Sequence, residues 1–273
     1  MDPALGWLLA FFFVPLLVML AISFARRGTY GGVEWVFNLD NYRRAIQPDV
    51  LVICLRTILI AGATTLLCLL IAYPAAYYIA LKAPPQRRNF YLLLAVVPFW
   101  TSFLIRTYAW ILLLRTEGFV NLALLSLGLV DEPLKLLYCD FAVLLGLVYG
   151  ELPFMILPLY TSISKLDTDL LEAAEDLGAS PVATFFTVTL PITLPGIIVG
   201  TVFVFIPSLG AFVTPDLLGG SKSVLIGNRV QDLFASVRDQ PFGSAISFLL
   251  TLIVLGMLAV SLRAGQAAER KLK

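Results

Sequence analysis

The chain has 273 residues, and its types leave few groups that could do chemistry. His is absent, which removes imidazole bases and imidazole metal ligands. Cys54, Cys68 and Cys139 form no C-x-x-C pair. An odd, widely spaced set fits packing better than a metal site or a disulfide framework. No G-x-x-x-x-G-K-[ST] loop occurs, so the chain is not expected to hydrolyse ATP itself. Two charges stand inside long apolar runs instead, Arg106 and Glu151. A charge at the centre of a bilayer costs about 2.5–3.5 kcal/mol on insertion scales, so each should face a bundle interior or a wet cavity. Their depths differ by only a few Å by helical rise. They can pair with each other, or Glu151 can meet a solute directly. Trp100, Tyr108 and Trp110 share Arg106's run. They fit either an interfacial aromatic belt or the lining of a path.

The polar chemistry concentrates in residues 164–181, S-K-L-D-T-D-L-L-E-A-A-E-D-L-G-A-S-P. Asp169 as a cap with Glu172 three residues on has the spacing of a capping box, and Gly178 suits the left-handed residue that ends a helix. Ser180-Pro181 then restarts one, with serine as cap and proline at the first position. Leu170, Ala173, Ala174 and Leu177 form one apolar stripe, while Asp169, Glu172, Glu175 and Asp176 face the other way. Helices that lie on lipid carry Lys and Arg on the polar face, whereas this one carries acids. A groove on another protein is the better partner.

The elements that must position these groups are membrane spans. The composition is 59% hydrophobic and 14% charged, where a soluble domain has roughly 45–50% and about 25%. The net charge of +1 offers nothing to nucleic acid. Runs of about 20 apolar residues cross the hydrocarbon. Six are read: Leu5 to Phe24, Leu55 to Leu81, Phe90 to Leu114, Phe141 to Ile163, Ile192 to Thr214 and Phe242 to Leu262. The expected fold is all-α, one polytopic membrane domain over residues 1–273. The first run follows Met1-Asp2-Pro3 rather than a basic start and exceeds a signal-peptide core, so it is expected to be a retained helix. Prolines at 74, 98, 153, 158 and 207 sit within spans, as static kinks or as moving gates. Pro207-Ser208-Leu209-Gly210 is the best gate candidate, because proline and glycine loosen one turn. With the amino terminus inside, inner basic residues (Lys82, Arg87, Arg88, Lys165, Arg263, Arg270, Lys271, Lys273) barely differ in number from outer ones, so charge counting hardly votes on orientation.

Glu172-Ala173-Ala174, Gly178 and Val188-Thr189-Leu190-Pro191 resemble the EAA loop of ABC importer permeases: E-A-A, three residues, G, nine residues, I, one residue, L-P. Val188 alone departs, standing for Ile. Pro98-Phe99-Trp100-Thr101, Leu104-Ile105-Arg106, residues 216–222 (D-L-L-G-G-S-K), Ile226-Gly227-Asn228 and residues 238–243 (R-D-Q-P-F-G) are similar to the spermidine/putrescine permeases, in particular the first of their two permease subunits. That subgroup commonly has Trp where Gln240 stands.

The resemblance implies a type I importer (MetI-like) fold and a cytoplasmic coupling loop at about 164–191, in which Glu172, Ala173, Ala174, Gly178, Leu190 and Pro191 engage an ATPase. It places that loop and both termini on the cytoplasmic side of a bacterial inner membrane. It implies two ATPase subunits that hold ATP and Mg, a homologous second permease, an extracytoplasmic substrate-binding protein and a polyamine substrate. No cofactor or metal is expected on this chain. The implied substrate is a flexible cation, for which carboxylates and aromatic faces are natural partners. Trp100, Tyr108, Trp110, Glu151 and Asp216 are the path candidates. Asp216 either draws a cation to the outer mouth or caps a loop beside Gly219-Gly220. Residues 216–241 are either a docking surface for the binding protein or a solvated loop. An importer of ferric iron, thiamine or a small anion is the nearest alternative. A lone ion-coupled transporter, which Glu151 alone favours, is further off, and a membrane enzyme lacks any nucleophile constellation.

Overall fold

A computed structural model describes residues 3–271; Met1, Asp2 and Lys273 of the expectations above lie outside the described residues. Five helical stretches are long and apolar enough to cross a membrane: Pro48–Lys82, Phe103–Ser126, Asp140–Ile163, Pro181–Gly210 and Gln240–Arg263, with a shorter one at Leu9–Ser23.

The centre is built from α3 (Pro48–Tyr77, running on into a wide turn at Tyr78–Lys82), α7 (Asp140–Ile163) and α10 (Leu190–Gly210). Cys68, Ala72, Ala76 and Ala80 of the first stretch pack on Met155, Ile156, Leu159 and Ile163 of α7 and on Val204 of α10. Lipid is as apolar as leucine, so small side chains that let backbones approach drive such packing. Gly196 on α10 shows the limit: a Cβ there would run into the Ser162 side chain and the Pro158 carbonyl. Cys68 is buried, as a packing residue should be.

Around this core run α1 (Pro3–Ser23), which lies along α12 (Gln240–Lys271), and the pair α4 (Pro85–Trp100) and α5 (Phe103–Leu114). The span expected as one helix from Phe90 to Leu114 is two. The chain is extended at Thr101 (φ −76°, ψ 147°) and Ser102 (φ −53°, ψ 131°). The Thr101 hydroxyl donates to the Pro98 carbonyl at 2.7 Å. A short polar side chain competes there with the backbone ladder, and Thr and Ser are weak helix formers.

The span expected from Ile192 to Thr214 is also redrawn. Its helix begins at α9 (Pro181–Thr184), widens at Phe185–Thr189 and ends at Gly210. The widened turn directly precedes Pro191, which has no N–H to offer the Thr187 carbonyl. Pro207-Ser208-Leu209-Gly210 is therefore the end of a helix, not a loosened turn within one.

The chain folds densely beyond that end. A two-stranded hairpin pairs β1 (Arg26–Arg27) with β2 (Val33–Glu34) antiparallel, Arg26 opposite Glu34. Then come α2 (Asp40–Ala45), α6 (Phe119–Ser126) and α11 (Ile226–Ala235). Asn121 fixes the segment after α6 by bonding both backbone groups of Leu134 at 2.9 Å. Gly219 and Gly220 are packed. Gly219 leaves no room for a Cβ against Ser223 and Val143, and Gly220 (φ +58°) lies against the Tyr138 ring.

Candidate functional site

The acidic segment folds as α8 (Thr168–Asp176) at the end of the bundle where α3 and α7 finish. Its cap is Asp167, not Asp169: the Asp167 carboxylate accepts from the Asp169 amide at 3.1 Å. Asp169 lies in the first turn, where its charge favours the helix dipole. Gly178 has φ +81° and ends the helix as expected, with its amide on the Glu175 carbonyl at 2.8 Å. The Ser180 hydroxyl accepts from the Ala183 amide at 3.3 Å, and Pro181 opens α9.

None of α8's residues is buried. Leu170 and Leu177 are exposed, Leu177 at 89%, so the two leucines of the apolar stripe have little of this chain against them. Glu172 and Ala173 are also exposed, and Ala174 is half-buried. Leu190 and Pro191 lie where the widened turn passes into α10, so they carry the loop into the central core.

The intramembrane candidates gather elsewhere. Glu151 is at the middle of α7's 24 residues. On α7 it lies between two contacts with the third crossing. Phe99 meets Phe154 edge-on at 5.1 Å between ring centroids, and Trp110 meets Tyr149 at 5.6 Å. Arg106 places its guanidinium 6.0 Å from the centre of the Tyr149 ring. Glu151 and Arg106 act on each other through space, yet no ion pair joins them. Glu151 Oε2 and Arg106 Nε and Nη1 are buried without a hydrogen-bond partner.

Trp100 ends α4 with 73% of its surface exposed, and Tyr108 is exposed on α5. Asp216 is apart from this group, in the turn Pro215–Gly219 beyond α10. Its side chain is exposed and its own amide bonds to the Phe212 carbonyl at 3.0 Å. The structure thus gathers Trp110, Arg106 and Glu151 about Tyr149 of α7, sets Trp100 at the break one turn away, and leaves Asp216 outside. The helix break was not read from the sequence. Thr101-Ser102 following Pro98 was the signal available for it.

At the end opposite α8, side chains far apart in sequence tie the elements together. Arg56 and Ser223 both reach Asp140 Oδ1 at 2.6 Å, tying α3, α7 and the 220–225 segment together. Arg44 holds Asp239 at 2.9 Å and stacks on Phe242 at 4.0 Å. Residues 216–241 are therefore no solvated loop: Leu225, Ile226, Leu233 and Asp239 are buried.

Known proteins resemble the chain along its length. Residues 72–273 match the family described as "Binding-protein-dependent transport system inner membrane component". The spermidine/putrescine transport system permease protein PotB of Escherichia coli (strain K12) is 44% identical over 268 residues, 98% of this chain and 97% of that one. The Haemophilus influenzae protein of the same description is 41% identical, over 98% of this chain and 93% of that one. Among solved structures, a bacterial ABC transporter for import of the acidic polysaccharide alginate superposes with TM-score 0.74 at 16% identity. The match covers 97% of this chain and 93% of that one. A methionine ABC transporter, MetNI, follows at 0.58 and 14%, over 82% and 99%.

Proposed function

Because the chain belongs to the family of binding-protein-dependent transport system inner membrane components, we propose that it is the polyamine-conducting permease subunit of an ATP-driven ABC importer for spermidine and putrescine. The observation that carries this reading is the 44% identity to a spermidine/putrescine permease over 98% of the chain. The subunit is a multi-pass protein of the inner membrane and not itself an enzyme. ATP and Mg act on two partner ATPase subunits. A homologous second permease completes the pore, and an extracytoplasmic binding protein delivers the polyamine. A solved alginate transporter is described in complex with a ligand-bound periplasmic protein, which supports the last expectation.

The α8 end faces the cytoplasm, with both termini, and the hairpin end faces outward. Glu172, Ala173, Ala174 and Gly178 form the plug that enters an ATPase groove. An exposed apolar stripe on a capped helix suits this role. Closure of the ATPases moves that plug. Leu190 and Pro191 pass the movement into α10, which packs along α3 and α7. The path then opens to one side at a time, with Trp100, Tyr108, Trp110 and Glu151 along it and Asp216 at the outer mouth.

The test is uptake of labelled spermidine into vesicles that hold this chain with the second permease, the ATPase and the binding protein. ATP-dependent accumulation is expected. An intact complex that hydrolyses ATP but accumulates no polyamine overturns the substrate, and competition by other solutes then identifies the real one.

A further inference from the structure

The break between α4 and α5 interrupts a crossing at membrane depth. The chain must return there from the α8 end to the hairpin end, and its two halves touch α7 at Phe154 and then at Tyr149, nearer the hairpin end. Broken backbone at that depth is tolerated only where protein covers it or where it lines a wet cavity. The break leaves the end of α4 without a continuation. No backbone amide donates to the carbonyls of Phe99 or Trp100, and the Pro98 carbonyl is taken by the Thr101 hydroxyl.

Glu151 stands opposite. It lies three residues from Phe154 on the same helix, one turn toward Tyr149, which places it level with the gap between the two halves. Its Oε2 is buried without a partner, as are Nε and Nη1 of Arg106 one turn beyond the break. The free carbonyls give one side of this space a negative potential. Arg106 and the first amides of α5 give the other side a positive one, where a carboxylate is at home.

We propose that the break is an ammonium site: one protonated amine of the transported polyamine lies between the Glu151 carboxylate and the Phe99 and Trp100 carbonyls, beside the Trp100 indole. Arg106 is a positioning residue that holds the carboxylate toward the break. Broken membrane helices bind cations through such freed carbonyls. The aromatic face adds to the attraction, and the nearby guanidinium keeps the hold weak enough for release. The inference rests on the polyamine reading above and names where along the path the cation stops.

The experiment uses the complete importer in vesicles and counts spermidine molecules moved per ATP hydrolysed. Glu151→Gln is expected to lower that ratio roughly tenfold, the worth of one charge-assisted hydrogen bond, while binding-protein stimulation of ATP hydrolysis persists. Trp100→Leu should lower the ratio as well, and Trp100→Phe should restore most of it. Arg106→Gln and Glu151→Gln each leave the other residue's buried charge alone, so both should assemble less well than wild type, and the ratio is read per assembled complex. The double variant Arg106→Gln, Glu151→Gln has none and should assemble with the ratio of Glu151→Gln. A merely structural Glu151 would lower transport and hydrolysis together. An unchanged ratio in Glu151→Gln, or in Trp100→Leu should Glu151→Gln fail to assemble, overturns this site and leaves the polyamine reading standing. A wild-type complex that hydrolyses ATP without moving spermidine overturns both.

Discussion

Asp239 and Glu172 are carboxylates at opposite ends of the bundle, and their surroundings differ in kind. Asp239 is 2% exposed, paired with Arg44 and bonded to the Phe242 amide at 3.3 Å. Around it the hairpin is also held: Arg27 donates to the Val237 carbonyl at 2.7 Å and the Gly32 amide to that of Arg238 at 3.1 Å. Glu172 lies on a helix with no buried residue and no ion pair among the described residues. At the hairpin end Arg27, Arg44 and Asp239 find their partners within the chain. The α8 end caps its backbone, through Asp167, Gly178 and Ser180, and leaves its acidic side chains exposed. A surface capped but unpacked has its shape fixed in advance and its binding energy unspent.

The sharpest way to break this contrast is Gly178→Asp. No atom of the chain stands within 4 Å of a Cβ at Gly178, so the substitution meets no clash. It forces a side chain into φ +81° and adds charge to the docking end. Membrane insertion and folded yield should stay near wild type. Transport should fall by at least about thirtyfold, the scale of losing one interface hot spot. Normal ATPase association and uptake would remove α8 from the coupling role.

Asp239→Ala probes the other end and should act oppositely. It strands Arg44 and removes an acceptor at the start of α12, at a cost of about 1.5 kcal/mol, the low end for bonds to charged groups because Arg44 can turn to water. The expected readout is a lower thermal midpoint of the purified complex, with transport per folded molecule near wild type. A stable variant that fails to dock its binding protein would mean that this end, too, is an interface.

Both regions were partly legible in the sequence, for different reasons. α8 is local: its glycine, its Ser-Pro restart and its stripe follow from spacing within a dozen residues, and the structure keeps each of them. The other end depends on contacts such as Arg56 with Asp140 and Arg44 with Asp239, far apart in the chain, which no periodicity reveals. The third crossing lies between these cases. Hydropathy sees apolar residues from Phe90 to Leu114 and is blind to backbone direction. The turn at Thr101-Ser102 is decided by one hydroxyl taking the Pro98 carbonyl. For the same reason the sequence offers Glu151 and Arg106 as a pair, or Glu151 as a solute contact, without the break beside them.

The smallest effect tests which residue starts the coupling helix. The capping-box spacing favours Asp169 with Glu172, but the carboxylate that accepts a backbone amide is that of Asp167. Asp167→Ala should weaken the first turn of α8 by about 1 kcal/mol, seen as roughly fivefold faster hydrogen exchange at the Asp169 amide. Asp169→Ala removes only a favourable charge near the helix dipole, worth about 0.3–1 kcal/mol at an exposed site and screened by salt. Its effect should therefore shrink in high salt while that of Asp167→Ala persists. If the two variants exchange places, the turn closes on Asp169, and α8 starts two residues later.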